Sequence, residues 1–158
     1  MAGGVTTGSV AFRQAASDDL ETIVDLLADD PIGRGRETVG PDWTYAYRNA
    51  FAAIERDPNQ LLAVAERGAQ VIGVLQLSFI PGLTRRGMWR GQIEGVRVAA
   101  GERGSGVGRA MLEWAVGECR KRGCGLVQLT SDKRRSDAHG FYDALGFEAT
   151  HQGYKLSL

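Results

Sequence analysis

The hydrophobic positions of this chain repeat with two periods, which predict two kinds of element. In four segments apolar residues recur every three or four positions, as on the buried face of an amphipathic helix. In seven others they alternate with polar residues or form short runs, as in strands. The predicted order is βααβββαβαββ. This order, without an internal repeat, indicates one mixed α/β (α+β) sheet of about seven strands, mostly antiparallel, flanked by four helices.

The bounds follow from the periodicity and from the glycines and prolines that interrupt it. Helices are predicted at 20–28, 41–57, 107–122 and 136–145, and strands at 10–16, 61–66, 70–79, 89–98, 126–130, 147–151 and 154–158. Residues 67–69 form a hairpin connection between the strands at 61–66 and 70–79, and a third strand follows after Pro81 and Gly82, so we expect an antiparallel meander there. Residues 1–8 are predicted to be flexible, and 9–158 to form a single domain.

Length and composition agree with one globular domain and exclude several classes of protein. The chain has 158 residues, of which 43% are hydrophobic and 24% are charged. Nineteen basic residues balance nineteen acidic ones, so binding to nucleic acid through bulk positive charge is not expected. No apolar run has the roughly 18 residues of a membrane helix, and no signal peptide is recognised. We therefore expect a cytoplasmic protein without nucleic-acid or membrane partners.

Charge is distributed unevenly along the chain although its total is zero. The segment 17–33 contains six Asp or Glu residues and no Lys or Arg, whereas basic residues outnumber acidic ones between 118 and 135. Two interpretations remain open. Each segment lies near a ligand of the opposite charge, or both are solvated faces of the protein.

The residue types that commonly bind metals are sparse here. Cys119 and Cys124 have neither CxxC spacing nor a neighbouring His, so we expect free thiols in a reducing compartment and predict no metal site. His139 and His151, the only histidines, are expected to be surface or packing residues.

A glycine-rich turn between a predicted strand and a predicted helix is the most informative segment. Gly104, Gly106 and Gly108 come just before the apolar face of the helix begins. Glycine has no side chain and adopts unusual backbone conformations, so consecutive amides can approach a phosphate at the positive end of the helix dipole. Tight packing would also explain the glycines. The turn lacks the Lys of a P-loop, and it does not follow the first strand of a βαβ unit as a dinucleotide fingerprint does.

Two motifs resemble those of the GNAT superfamily of N-acyltransferases, which use acetyl-CoA. The segment 103–108 (RGSGVG) matches the family's (Gln/Arg)xxGx(Gly/Ala) turn, and 96–98 (VRV) matches its preceding VxV strand. Later in the chain, 138–147 (AHGFYDALGF) matches its AxxFYxxxGF segment. The resemblance covers about residues 10–158. In the first half of the chain it rests on the order of the predicted elements alone. It implies a GNAT-like fold.

The resemblance also implies where acetyl-CoA binds. Amides of the turn would hold the pyrophosphate, and the VxV backbone would pair with the pantetheine arm where two central strands separate. The cofactor-binding residues implied are Val96, Arg97, Val98, Arg103, Gly104, Ser105, Gly106, Val107, Gly108 and Arg109. Arg135 stands where many members have Asn, so we expect it to contact a CoA phosphate instead.

Tyr142 and Glu94 are the predicted proton-transfer residues. The resemblance implies that Tyr142 lies beside the thioester sulfur and protonates the leaving thiolate; packing on its helix face is the alternative role. An ammonium acceptor must lose a proton before it attacks, and Glu94 is the candidate base. Period two predicts that Glu94 shares one sheet face with Gln92, Val96 and Val98. A salt bridge to a neighbouring arginine is the alternative role of Glu94.

We therefore predict an acetyltransferase that transfers the acetyl group of acetyl-CoA to a primary amine of a small molecule or peptide, by direct attack in a ternary complex. A non-catalytic acyl-CoA sensor, or a protein-interaction module with the same fold, is the alternative. Clues to the acceptor conflict. The acidic first helix suits an amine, whereas several arginines suit a carboxylate-bearing acceptor: Arg34, Arg36, Arg85, Arg86 and Arg90. We also expect a homodimer.

Overall fold

A five-stranded sheet forms the centre of the protein. The structure, a computed structural model, describes residues 8–37 and 43–158, with the backbone alone for residue 43. Its strands are β1 (Val10–Gln14), β2 (Gln60–Arg67), β3 (Gln70–Ile80), β4 (Arg90–Val98) and β5 (Leu126–Leu129). They lie in the order β1-β2-β3-β4-β5. All neighbours are antiparallel except β4 and β5, which are parallel. The predicted meander and the mixed α+β character are confirmed.

Five helices occur in the described part of the chain. They are α1 (Leu20–Ala28), α2 (Trp43–Arg56), α3 (Thr84–Gly87), α4 (Val107–Lys121) and α5 (Ser136–Ala144). The sequence predicts four of them, and α3 is additional because a four-residue turn is too short to show an apolar period. Its Arg85 and Arg86 have left-handed φ values of 54° and 61°. The predicted helix start at 41–42 and the predicted flexible residues 1–7 lie outside the described residues.

The sheet is covered on both faces, which gives two apolar layers. On one face, β3 residues such as Leu75 and Leu77 pack against Met111 and Ala115 of α4, all of them at most 1% exposed. On the other face, α1 and α2 contribute a second buried cluster that contains Val74 of β3. Each fully buried aliphatic side chain stabilises the fold by roughly 1.5–3 kcal/mol relative to an exposed one. The two layers therefore fix which residues of each strand point to which face.

The last two predicted strands are wrong. Residues 147–158 contain no strand, and from Glu148 onward every one of them is exposed. Phe147 is the last residue that packs against the core, and its amide donates to the carbonyl of Tyr142 at 3.1 Å. The alternating apolar residues Tyr154 and Leu156 are each 87% exposed. Alternation alone does not make a strand, because a strand also needs a backbone partner and a surface on which to bury its apolar side.

None of the helices within residues 8–37 and 43–158 is long and apolar enough to cross a membrane.

Candidate active site

A β-bulge interrupts β4 close to the predicted site. Between the paired positions Gln76–Glu94 and Val74–Arg97, β3 advances by two residues and β4 by three. The extra residue falls at Gly95, whose φ of 62° is left-handed and thus suits glycine. Bulges bend a strand and redirect the side chains that follow.

The bulge overturns the predicted face of Glu94. Residues directly opposite one another on neighbouring strands point to the same face. Glu94 faces Gln76 and Arg97 faces Val74, so Glu94 and Arg97 share the face that α1 and α2 cover. Val98 pairs with Gly73 and packs, like Val96, against the α4 cluster on the opposite face. The predicted common face for Glu94, Val96 and Val98 is therefore wrong, whereas Gln92 does share the face of Glu94.

Beyond the bulge, β4 loses its parallel neighbour. The pairing of β4 with β5 covers Arg90 to Ile93 and ends at Leu129 of β5. Within the described residues, no strand pairs with the rest of β4, up to Val98, on that side. Two arginine side chains approach this edge. Arg97 donates from Nη1 to the carbonyl of Val96 at 2.8 Å, and Arg103 donates from Nε to that of Val98 at 3.3 Å. The edge thus offers backbone groups to which an extended ligand could bind.

The glycine-rich turn has the geometry of an anion cradle. Gly104 and Gly106 have φ values of 78° and 88°, and Gly106 immediately precedes α4. A Cβ built on either glycine would meet no atom within 4 Å. Glycine is therefore required at these two positions by the backbone conformation and not by lack of space, and the space in front of the turn is open. The first four amides of a helix lack intrahelical acceptors, so this end of α4 can bind a phosphate, as the pyrophosphate of CoA requires.

Side chains of the turn are directed away from that space. Ser105 donates from Oγ to the carbonyl of Glu102 at 2.5 Å, and Arg109 forms an exposed ion pair with Glu113 one turn along α4. Arg103 pairs with Asp29 at the end of α1, with Nη2 and Oδ2 3.0 Å apart. The turn therefore presents its backbone, and Arg103 joins it to α1.

A buried ion cluster connects α1, β4 and α5. We define the Asp30 cluster as Asp30, Arg97 and Arg135. The Asp30 side chain is 7% exposed. Both of its oxygens accept from Arg135, one of them at 2.8 Å, and Oδ2 also accepts from the amide of Gly33 at 2.7 Å. Arg97 is more distant, with Nη2 3.4 Å from Oδ2. The hydrogen bonds from Arg135 contribute most to lowering the pKa of Asp30 to about 2.

The Asp30 cluster borders a cavity of about 240 Å³. The cavity lies between the end of α1, the free edge of β4 and the turn, and is lined by Asp29, Asp30, Pro31, Val96, Arg97, Val98, Arg103 and Arg135. Five of the eleven predicted CoA-binding residues line it, namely Val96, Arg97, Val98, Arg103 and Arg135, whereas residues 104–109 do not. Arg97 Nε is buried and has no hydrogen-bond partner among the described residues. A buried donor without a partner is costly, which makes this guanidinium a candidate ligand contact.

Tyr142 lies in α5 beside these groups. Its ring contacts Phe141 and Phe147 edge to face, with centroids 5.3 and 6.0 Å away. Burial raises the pKa of Tyr142 above its usual value, and the positive charges of Arg135 and Arg97 oppose that rise. The phenol consequently remains protonated at neutral pH, as a general acid requires, and it also packs against the core.

A row of uncharged polar side chains crosses the face on which Glu94 lies. Gln128 of β5 donates from Nε2 to Oε1 of Gln92 at 2.7 Å. Gln60 of β2 accepts from Gln76 Nε2 and from Ser78 Oγ, each at 2.9 Å. Glu94 is exposed at the end of this row nearest the bulge.

Other polar candidates lie away from the site. His139 and His151 are exposed, in agreement with their predicted surface position. Cys119 and Cys124 are free thiols, and burial raises the pKa of Cys119 to about 11. In the part of the chain that the structure describes, no three His, Cys, Asp or Glu residues come together as metal ligands.

Sequence reasoning missed Asp30 as a site residue. The uneven charge contained a signal, because Asp29 and Asp30 end the acidic segment while Arg135 ends the basic one. The acidic and basic segments contact each other through the ion pair between Asp30 and Arg135. Neither of the two interpretations given above, a separate ligand for each segment or two solvated faces, includes this contact. The substitution of Arg for the family's Asn at 135 is a second signal, because a partly buried guanidinium needs a carboxylate partner.

Comparisons with known proteins agree with the geometry. The model of the acetyltransferase (GNAT) family matches residues 20–147. The chain is 31% identical over 148 residues to an aminoalkylphosphonate N-acetyltransferase of Salmonella typhimurium, covering 93% of this chain and 90% of that protein. It is 34% identical over 89 residues to a glucosamine 6-phosphate N-acetyltransferase of Trypanosoma brucei brucei, covering 56% and 58% respectively.

A solved structure is similar over almost the whole chain. A protein of Bacillus halodurans C-125, described as a transcriptional regulator, superposes with a TM-score of 0.92 at 45% identity. The match covers 95% of this chain and 100% of that one.

Proposed function

Because the chain belongs to the acetyltransferase (GNAT) family, we propose that it transfers the acetyl group of acetyl-CoA to the primary amine of a small molecule by direct attack in a ternary complex. The observation that carries this proposal is the open glycine turn, which directly follows Arg103, one of the residues that line the cavity along the free edge of β4. When bound, acetyl-CoA supplies an acetyl thioester, in which the sulfur is a good leaving group.

The chain's own groups suit that ligand at three points. Amides at 104–109 would bind the pyrophosphate, and the backbone of 96–98 would pair with the pantetheine arm. Arg103 would exchange its exposed ion pair with Asp29 for a phosphate at little cost, because exposed pairs contribute only about 0–1 kcal/mol. Arg135 is a weaker candidate for a CoA phosphate because both oxygens of Asp30 already accept from it.

Proton transfer is assigned to two residues on different elements. Tyr142 would donate its phenolic proton to the departing sulfur, and its raised pKa favours the protonated form that this step needs. Glu94 would accept the proton of the incoming ammonium, directly or through one water. Its position supports this role, since the α1 and α2 side of the sheet also has the polar row that an acceptor could contact.

The names of two relatives suggest the kind of acceptor. Aminoalkylphosphonates and glucosamine 6-phosphate are both small amines that carry a phosphorus oxyanion. We therefore propose a small-molecule acceptor in preference to a peptide.

A panel of small amines tests the function. Acetyl-CoA is mixed with each amine, and release of free thiol is followed. We expect turnover with at least one amine and a fall in kcat of about 10²- to 10⁴-fold in Tyr142→Phe, the usual contribution of a general acid. Acetyl-CoA affinity should stay within about twofold, since the phenol acts on the leaving group. The control is Tyr154→Phe, because Tyr154 is 87% exposed and outside the core. Equal kcat in the two variants would remove Tyr142 from the mechanism.

A non-catalytic acyl-CoA sensor is the second candidate. It is favoured by the description of the protein that is 45% identical as a transcriptional regulator. The same panel separates the two, because a sensor would bind acetyl-CoA and release no thiol with any amine.

A further inference from the structure

Arg97 holds a positive charge that the fold does not fully neutralise. Asp30 directs both oxygens to Arg135 and meets Arg97 only at 3.4 Å. Two guanidinium groups therefore share one carboxylate. Arg36, in the loop after α1, adds a third positive charge that acts on Arg97, and Glu37 adds a negative one. Among the charged residues that line the cavity, three arginines (Arg97, Arg103 and Arg135) outnumber two aspartates (Asp29 and Asp30), so the lining has a net positive charge.

The unused donors of Arg97 suit an oxyanion. Nη1 donates to the carbonyl of Val96, Nη2 makes the long contact to Asp30, and Nε has no partner among the described residues. The Nε and Nη2 edge of a guanidinium is one of its two-pronged edges, with a spacing that matches two oxygens of a phosphonate, phosphate or carboxylate. Arg97 also lines the cavity that we assign to acetyl-CoA, so an acceptor that meets the thioester from the α1 and α2 face would lie beside its guanidinium.

The strand geometry relates this charge to Glu94. Both side chains project from the same face of β4 on either side of the bulge. Three residues of strand span at most roughly 10 Å, and a bulge shortens that distance. An amine at Glu94 and an oxyanion at Arg97 could therefore belong to one small molecule. The backbone amides that we assign to CoA lie at the turn before α4.

We propose that Arg97, assisted by Arg36, binds an oxyanion of the acceptor, which is then a small primary amine carrying a phosphonate, phosphate or carboxylate group a few bonds from its nitrogen. This inference rests on the proposed function for the amine, and on the Asp30 cluster for the anion. The sequence analysis names five arginines that suit an anionic acceptor, and this proposal selects Arg36 from them. It adds Arg97, whose side chain the sequence analysis does not assign to the acceptor.

Calorimetry with matched ligands tests the anion site without turnover. In the presence of CoA, 2-aminoethylphosphonate, β-alanine and ethanolamine are titrated into the protein; they share an amine on a two-carbon spacer. We expect either anionic amine to bind at least about tenfold tighter than ethanolamine, as a charged hydrogen bond implies. The ratio between the phosphonate and the carboxylate then tells which oxyanion is preferred.

Three variants locate the site. Arg97→Gln should reduce the preference for the anionic amines to about threefold or less, while the affinity for CoA stays within about twofold. Arg36→Gln is the second variant, because Arg36 is exposed and its replacement leaves the buried cluster intact; it should reduce the preference in part. Arg90→Gln is the matched control on the same face of β4, four residues before Glu94, and should leave the preference unchanged.

Each contrary result has a separate meaning. An unchanged preference in both Arg97→Gln and Arg36→Gln overturns the proposal, and so does its loss in Arg90→Gln. A fall in CoA affinity in Arg97→Gln that equals the fall for the phosphonate would assign the charge to CoA, which also overturns it. Absence of thiol release with every amine, together with the expected binding pattern, would reject the proposed enzyme and leave the anion site standing.

Discussion

Replacing Asp30 by Asn removes the negative charge that holds two arginines together. The side chain keeps its size and one oxygen, so the change is chiefly electrostatic. Arg135 and Arg97, whose side chains are 26% and 20% exposed, would then face each other across a neutral amide. Removing one partner of a buried ion pair destabilises proteins because the other charge remains in a poorly solvated position.

The magnitude follows from the pKa of Asp30. It is lowered to about 2, mainly by hydrogen bonds from Arg135, against about 3.9 for an ordinary Asp. Because one pKa unit corresponds to about 1.36 kcal/mol, ionised Asp30 stabilises the fold by about 2–3 kcal/mol at neutral pH. A depressed pKa gives stability that is present above the unfolded value, near 3.9, and that is lost as pH falls through the folded value, near 2.

Urea unfolding of the wild type and Asp30→Asn between about pH 7 and pH 2 measures this contribution. The free energies of unfolding should differ by about 2–3 kcal/mol at pH 7 and by less than about 1 kcal/mol at pH 2. Asp29→Asn is the matched control, one residue away, because the Asp29–Arg103 pair is about half exposed and should contribute about 0–1 kcal/mol. A difference that stays constant with pH, or an equal effect of Asp29→Asn, would refute the assignment of a buried, charge-dependent role to Asp30.

Three further substitutions test other parts of the site and the fold. Glu94→Gln should lower kcat/KM near neutral pH by about 10²-fold or more and recover as rising pH supplies free amine, measured by thiol release against pH. Gly106→Glu should weaken CoA binding by about tenfold or more in calorimetry, because it adds a negative charge where we propose that the phosphate binds. Gly91→Ala should lower the free energy of unfolding by about 1–3 kcal/mol, since its Cβ would overlap Sγ of Cys119.

Each of the three has its own control. Glu94 keeps its role as base only if the pH profiles of wild type and variant differ in form; parallel profiles with a lower melting temperature would indicate a structural salt bridge. Gly101→Glu adds the same charge to the same loop, at a position with open space and no left-handed φ, and should bind CoA within about threefold of the wild type. Adding Cys119→Ala to Gly91→Ala should restore most of the lost stability; no recovery would exclude the overlap as the cause.

Local patterns were sufficient to predict most of the fold. The apolar period of a helix or strand indicates which of its sides is buried, and this pattern is contained in the element's own sequence. It was therefore sufficient for the helices α1, α4 and α5 and for the strands β2, β3 and β4. The local pattern fails where the formation of a strand depends on pairing with a segment that is distant in the sequence. The segment after Phe147 has the alternation of strands, yet its apolar side chains are exposed and it forms no ladder. Alternation therefore indicates a strand only where a neighbour is available.

The Asp30 cluster could not be assembled from sequence because its members are 67 and 105 residues from Asp30. Only the fold brings the end of α1 next to β4 and the start of α5. What the sequence contains is the unusual Arg135 and an acidic stretch without a counter-charge. From these two observations one can predict that Arg135 and the acidic stretch each need a residue of opposite charge. The sequence does not show that they pair with each other.

The bulge at Gly95 shows how one backbone position changes a mechanistic assignment. Strict alternation would put Glu94 on the face of Val96 and Val98, whereas with the extra residue it shares the α1 and α2 face with Arg97. Glycine within a strand is a known sign of a bulge, so Gly95 was the available warning. The bulge lies where β4 parts from β5. In the proposed function, the backbone edge of this strand would bind the cofactor and its α1-facing side chains would contact the acceptor. Deleting Gly95 would remove the bulge but leave Glu94 opposite Gln76 and Arg97 opposite Val74, so both side chains would stay on the α1-facing side of a regular strand; we therefore expect the bulge to matter for the free backbone edge rather than for the shared face of these two residues.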